Sequence, residues 1–133
     1  MVNDTIKEKE DRERRRYLRV FYSAEDRMIG VFVVPGKKQK VLEARIMNVS
    51  MGGLHFTVDR NGTVPLKIGD RLTLKRLIGN SPLRISSDIE VEIKWILDLR
   101  SMKRVGFGCE FQELPEMIQY QLSGLIESGQ KPL

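Results

Sequence analysis

The sequence predicts a mainly-β domain, a barrel or sandwich of short antiparallel strands with one helix at its C-terminal end. Two observations lead there. From Arg16 to Phe111, apolar residues recur with period two in short runs separated by Gly, Pro, Asn and Ser. From Leu114 to Ile126 the period lengthens to that of an amphipathic helix. The length of 133 residues, with 41% hydrophobic and 31% charged residues, suits one domain that can bury a core.

Taken in order, residues 1–12 are polar and charged and are expected to form a flexible arm. The domain is expected over 13–127, and 128–133 are expected as a free tail. A first strand begins near Arg16, with Leu18, Val20 and Tyr22 on one face. A second runs from Met28 to Val34 and ends at Pro35-Gly36. A third runs from Val41 to Met47, and Asn48 to Gly53 reads as a turn. Leu54, Phe56 and Val58 alternate with His55, Thr57 and Asp59 in a fourth strand, closed by Asn61-Gly62. Gly69-Asp70 introduces a fifth, with Leu72 and Leu74 on one face.

The sixth strand alternates most clearly. Ile89, Val91, Ile93, Trp95, Leu97 and Leu99 share one parity, Glu90, Glu92, Lys94 and Asp98 the other, and Ile96 alone breaks the pattern. That parity places Trp95 in the core, although near a strand end its ring could instead be offered to a base. In the seventh strand Val105, Phe107, Cys109 and Phe111 face inward, and Gly106, Gly108 and Glu110 outward. The helix follows, with Leu114, Met117, Ile118, Gln121, Leu122, Leu125 and Ile126 at helical spacing, Pro115 at its start and Gly129 at its end.

The net charge is +5, and the sequence pI of about 9.5 favours an anionic partner. One cysteine suits a reducing compartment. No apolar leader opens the chain and no apolar run nears the ~20 residues of a membrane span. The expectation is a cytoplasmic protein. Catalysis has little support: His55, the one histidine, reads as a surface strand residue, Cys109 as a core residue, and no metal or P-loop spacing occurs.

Two runs carry binding chemistry. Arg14-Arg15-Arg16-Tyr17-Leu18-Arg19 supplies guanidinium groups, whose planar forks match phosphate oxygens and the O6/N7 edge of guanine. Asn48-Val49-Ser50-Met51-Gly52-Gly53 supplies an amide, a hydroxyl and glycines that let a ligand approach the backbone. Alone, the first also reads as a solvated arm and the second as an ordinary turn.

In order along one chain, Arg15-x-x-x-Arg19 and Asn48-x-Ser50-x-x-Gly53 resemble the signature of the PilZ family. Val20, Leu54-His55-Phe56 and the closing Val105–Phe111 strand are similar too. The resemblance covers residues 12–127. It implies a six-stranded antiparallel barrel of split-barrel type with a C-terminal helix, and a ligand rather than a cofactor: the bacterial second messenger cyclic di-GMP. Arg15 and Arg19 would grip phosphate and guanine, and Asn48, Ser50 and Gly53 would hold the guanine edge. A basic residue in the place of Arg14 implies two stacked ligand molecules. With no output domain in the sequence, the signal would reach an effector protein through ordering of the arm. The alternatives are a basic barrel for single-stranded nucleic acid, disfavoured by the inward parity of Phe56, Trp95, Phe107 and Phe111, and a ligand-blind PilZ interaction module.

Overall fold

The computed structural model describes residues 18–36, 39–60, 65–79, 88–98 and 101–129. The described residues form seven strands: β1 Arg19–Phe21, β2 Ile29–Val34, β3 Lys40–Ser50, β4 Gly53–Asp59, β5 Arg71–Ile78, β6 Ile89–Leu97 and β7 Arg104–Phe111. The helix α1 spans Glu116–Gly129. The expected arm, with Arg14 and Arg15, lies outside the described residues, as do Leu99, the Asn61-Gly62 turn and the tail from residue 130.

The strands form one antiparallel sheet in the order β1-β3-β2-β5-β6-β7-β4, and a pairing between β3 and β4 closes six of them into a barrel. Closure leaves the barrel proper without edges. The seventh, β1, is short and sits outside the closed set. It can do so because β3 is eleven residues long. The first half of β3 pairs with β2, Lys40 opposite Val34 through Arg45 opposite Ile29. Its last three residues pair with β1, Arg19 opposite Ser50 and Phe21 opposite Asn48. Across the other edge β3 meets β4, so Asn48 and Val49 have partners on both sides.

That pairing corrects the expected turn. Asn48, Val49 and Ser50 are strand residues, and only Met51-Gly52 connects β3 to β4. Asn and Ser favour turns when their backbones have nothing better to bond; here β1 supplies a partner strand.

The core follows the predicted parity. Phe32, Leu42, Ile46, Leu54, Phe56, Leu72, Leu74, Ile89, Val91 and Ile93 are buried with Phe107 and Cys109. Phe56 stands at the centre, its ring 4.8 Å from that of Phe32 and 5.2 Å from that of Phe107. Ile118, Leu122 and Ile126 of α1 join this core, one residue per turn, whereas Met117 stays exposed. The helix packs beside β1, whose Val20 also leans on the core.

Truncating Phe56 to Ala should cost about 3–5 kcal/mol of folding stability, as for other buried phenylalanines, through lost transfer and the cavity left behind. Urea denaturation of the variant against the wild type measures it through the shift in midpoint.

Candidate functional site

Strand register builds the site as a row across the outer face of the barrel. Phe21 of β1 stands opposite Asn48 of β3, Asn48 opposite His55 of β4, His55 opposite Gly108 of β7, and Gly108 opposite Trp95 of β6. Directly opposed residues share a face of the sheet. Arg19, two residues before Phe21, projects on the same face and reaches this row.

Arg19 Nη1 donates to Asn48 Oδ1 at 2.8 Å, so the second arginine of one motif is tied to the first residue of the other. Asn48 is only 7% exposed. Its Nδ2 lies 3.3 Å from His55 Nδ1. Proton assignments in this chain follow from donor chemistry. A guanidinium only donates, so the amide oxygen must face Arg19 and the NH2 group must face the imidazole. His55 Nδ1 therefore accepts, and the neutral ring carries its proton on Nε2. That Nε2 is buried with no hydrogen-bond partner among the described residues. It lies against Gly106, 2.9 Å from where a Cβ would stand on that residue. Burial first, and the Arg19 charge second, lower the pKa of His55 below its ordinary 6.5.

Ser50 is 1% exposed and holds the β3–β4 connection. Its hydroxyl accepts from Gly52 N at 3.2 Å and donates to Gly53 O at 3.4 Å. Gly53 is demanded by close approach rather than by its backbone angles. A Cβ there would stand 1.9 Å from the carbonyl oxygen of Cys109 on the paired strand β7.

These residues open onto a cleft of about 300 Å³ lined by Arg19, Ser50, Gly52, Gly53 and His55, with Lys94, Trp95 and Glu110 on the far side. The volume is at the small end for ligand sites, enough for one base and its phosphate. Asn48 sits behind the cleft, covered by its two partners. Lys94 is held by an ion pair with Glu92, a contact that raises the pKa of Lys94 and lowers that of Glu92.

Of the six residues expected to bind ligand, Arg19, Asn48, Ser50 and Gly53 come together here, and Arg14 and Arg15 lie outside the described residues. Two expectations need correction. Trp95 is not core: it is 42% exposed and lines the cleft. The register of β6 against β7 shifts between Ile93 and Trp95, and such a bulge reverses the parity of every later residue. Ile96, the residue that broke the alternation, turns toward the core instead. His55 is likewise half-buried and not a free surface residue. Phe56, Phe107 and Phe111 are buried as expected.

Cys109 also borders the cleft, but burial pushes its thiol pKa up to about 12, far from a reactive thiolate. Among the described residues, no group of three His, Cys, Asp or Glu is placed to hold a metal ion, and no helix is long and apolar enough to cross a membrane.

A family model of the PilZ domain matches residues 13–128 of the chain. No curated protein matches it. Solved structures that share its fold include the following. The inhibitor of motility MotI/DgrA of Bacillus subtilis aligns with a TM-score of 0.62 and 14% identity, over 87% of this chain and 51% of that one. The PilZ domain of Escherichia coli YcgR with c-di-GMP aligns with a TM-score of 0.60 and 16% identity, over 86% and 90%. PlzA of Borreliella burgdorferi, in complex with c-di-GMP, gives 0.58 and 16%, over 97% and 59%. The chain thus spans about half the length of MotI/DgrA.

His55 sets a pH dependence of stability. Its folded pKa is depressed, so as pH falls below 6.5 the unfolded chain takes up the proton first. The contribution is fully present above pH 6.5 and is lost as pH drops through the folded value. Denaturation midpoints measured between pH 7.5 and 5 should fall accordingly. In Asn48→Asp a carboxylate can accept from both Arg19 and a protonated ring, so the pKa of the single histidine, followed by NMR, should rise and the acid loss should shrink.

Proposed function

Because this chain belongs to the PilZ domain family, we propose that it is a receptor for cyclic di-GMP and acts by binding rather than by catalysis. The observation that carries this reading is the hydrogen bond that joins Arg19 to Asn48 at the edge of a single cleft. Two short motifs far apart in sequence then present phosphate-binding and guanine-binding groups to one ligand. The c-di-GMP in the YcgR and PlzA structures supports the choice of ligand.

In this mechanism Arg19 offers its fork to a phosphate and to the O6/N7 edge of guanine, at an angle fixed by Asn48. Asn48 in turn is held by His55. Ser50 and Gly53 shape the turn so that backbone groups of Met51-Gly52 approach the base. Arg15, and Arg14 before it, close over the ligand from the arm side, and Arg14 recruits a second, stacked molecule. Ligand phosphates offset the repulsion among the clustered arginines and fasten the arm across the turn. The ordered arm is then the surface that an effector protein reads.

Calorimetric titration with cyclic di-GMP, with GTP as the control, tests the reading. Binding should be selective for cyclic di-GMP and saturate at two ligands per chain. Arg19→Ala should weaken it at least about tenfold, the loss of one charge-assisted contact, and Ser50→Ala should weaken it less. No binding by the wild type would leave a ligand-blind interaction module as the better description, and one ligand at saturation would remove the role given to Arg14.

The arm mechanism has its own readout. Tryptic cleavage between Arg12 and Arg16 should slow markedly on ligand addition. Cleavage that continues unchanged at saturation would separate binding from the arm.

A further inference from the structure

Strand β2 is apolar on both of its faces. Phe32 points into the core, whereas Ile29, Val31 and Val33 point outward and none of the three belongs to the core cluster. Such a run is the pattern of a strand covered on both sides, and the barrel covers only the inner one. We propose that a second copy of this chain covers the outer one. The exposed face of its helix α1 lies on β2, so that copies associate head to tail.

Register extends the stripe sideways. Val33 stands between Val41 of β3 and Thr73 of β5, Val31 between Glu43 and Arg76, and Ile29 between Arg45 and Ile78. Val41 and Ile78 are exposed. Val31 is only 9% exposed although it lies outside the core cluster, which follows from the two long side chains that flank it. Single apolar residues are common on protein surfaces. Here five occupy adjoining register positions, on a face that alternation should keep polar. Arg45 and Arg76 stand among them, and no ion pair among the described residues engages either one.

The same chain carries the complement. Residues 112–129 contain Glu113, Glu116 and Glu127 and no lysine or arginine, in a chain whose net charge is +5. Glu116, Met117 and Tyr120 lie at helical spacing on one side of α1, and Met117 and Tyr120 are 69% and 82% exposed. One surface is apolar with a basic rim and the other apolar with an acidic rim, the two halves of an interface. They do not cover each other within one chain, since both stay exposed there. The contact therefore joins different patches on the two copies. Such a heterologous contact builds a filament or a closed ring and does not stop at a two-fold dimer. No residue of β2 or β5 lines the ligand cleft, so association and ligand binding are separate properties.

Sedimentation velocity of the full, unaltered chain over a range of concentrations is the test. The sedimentation coefficient should rise with concentration past that of a dimer. High salt should weaken the association, because its charged rim is exposed to solvent. Val41→Asp with Ile78→Asp silences the sheet face, and Met117→Asp with Tyr120→Asp the helix face. Either pair sets carboxylates against apolar side chains and should weaken association at least about tenfold. Mixed in equal amounts, the two variants should form a dimer and nothing larger, because each keeps one working face. A chain that stays monomeric at every concentration overturns the proposal and leaves the stripe to a separate acidic partner. Association that stops at a two-fold dimer overturns it too, as does a mixture that stays monomeric while circular dichroism shows both variants folded. The receptor reading survives each of these outcomes, since calorimetry with cyclic di-GMP decides it separately. The concentration series is read on the unaltered sequence, so it decides even where a variant does not fold.

Discussion

The hydrogen bond from Arg19 to Asn48 orders the rest of the site, because one partner can only donate and the other can do both. A guanidinium has no acceptor, so the amide of Asn48 has one permitted orientation. That orientation hands its NH2 group to His55 and fixes the imidazole as the neutral tautomer with the proton on Nε2. The ring so fixed stands edge-on to Trp95. A chain of four side chains on four strands thus takes its sense of direction from one cation. It also explains why the imidazole tolerates burial: a protonated ring would need an acceptor where the amide presents a donor, with Arg19 adding repulsion.

The fold makes this contact possible through the length of β3. A strand that only closed the barrel could stop where β2 ends. By running on to Ser50 it offers a free edge on which β1 lies down, and β1 carries Arg19. The same extension places Asn48 between two partner strands, and its side chain is held between Arg19 and His55. Barrel closure, the attachment of β1 and the placement of the cation are one arrangement. The helix reinforces it from below, since α1 packs beside β1 while its Ile118, Leu122 and Ile126 enter the core.

Much of this was legible in the sequence, and the failures have definite causes. Period-two alternation found every strand, and the core residues Leu54, Phe56, Ile89, Val91, Ile93 and Phe107 were assigned to the correct face. Of the six motif residues that the sequence singles out, the four among the described residues, Arg19, Asn48, Ser50 and Gly53, come together. The turn expected at Asn48–Gly53 fails because its residue types favour turns, and nothing local announces the partner strand β1, whose paired residues lie 27 (48 − 21) to 31 (50 − 19) positions earlier. Trp95 was misplaced because parity counting assumes an unbroken register. The sign of the break was present: Ile96 is apolar on the wrong parity, which is how a one-residue bulge looks in sequence.

The outward glycines of β7 were the other signal. Gly106 and Gly108 lie on a face where side chains would be free to project into water, and strand interiors disfavour glycine for its entropy and its lack of contacts. Two of them on one parity mean that something occupies the space. The structure shows what: the His55 ring stands over Gly106 and the indole of Trp95 lies on Gly108. Small residues on the outer face of β7 are therefore as much a part of the site as the arginine whose charge it presents, because they let the indole lie on the sheet and the imidazole approach it edge-on, where longer side chains would hold both rings off. A reading of motif residues alone sees the groups that would touch a ligand. It does not see the empty positions that decide how those groups are aimed.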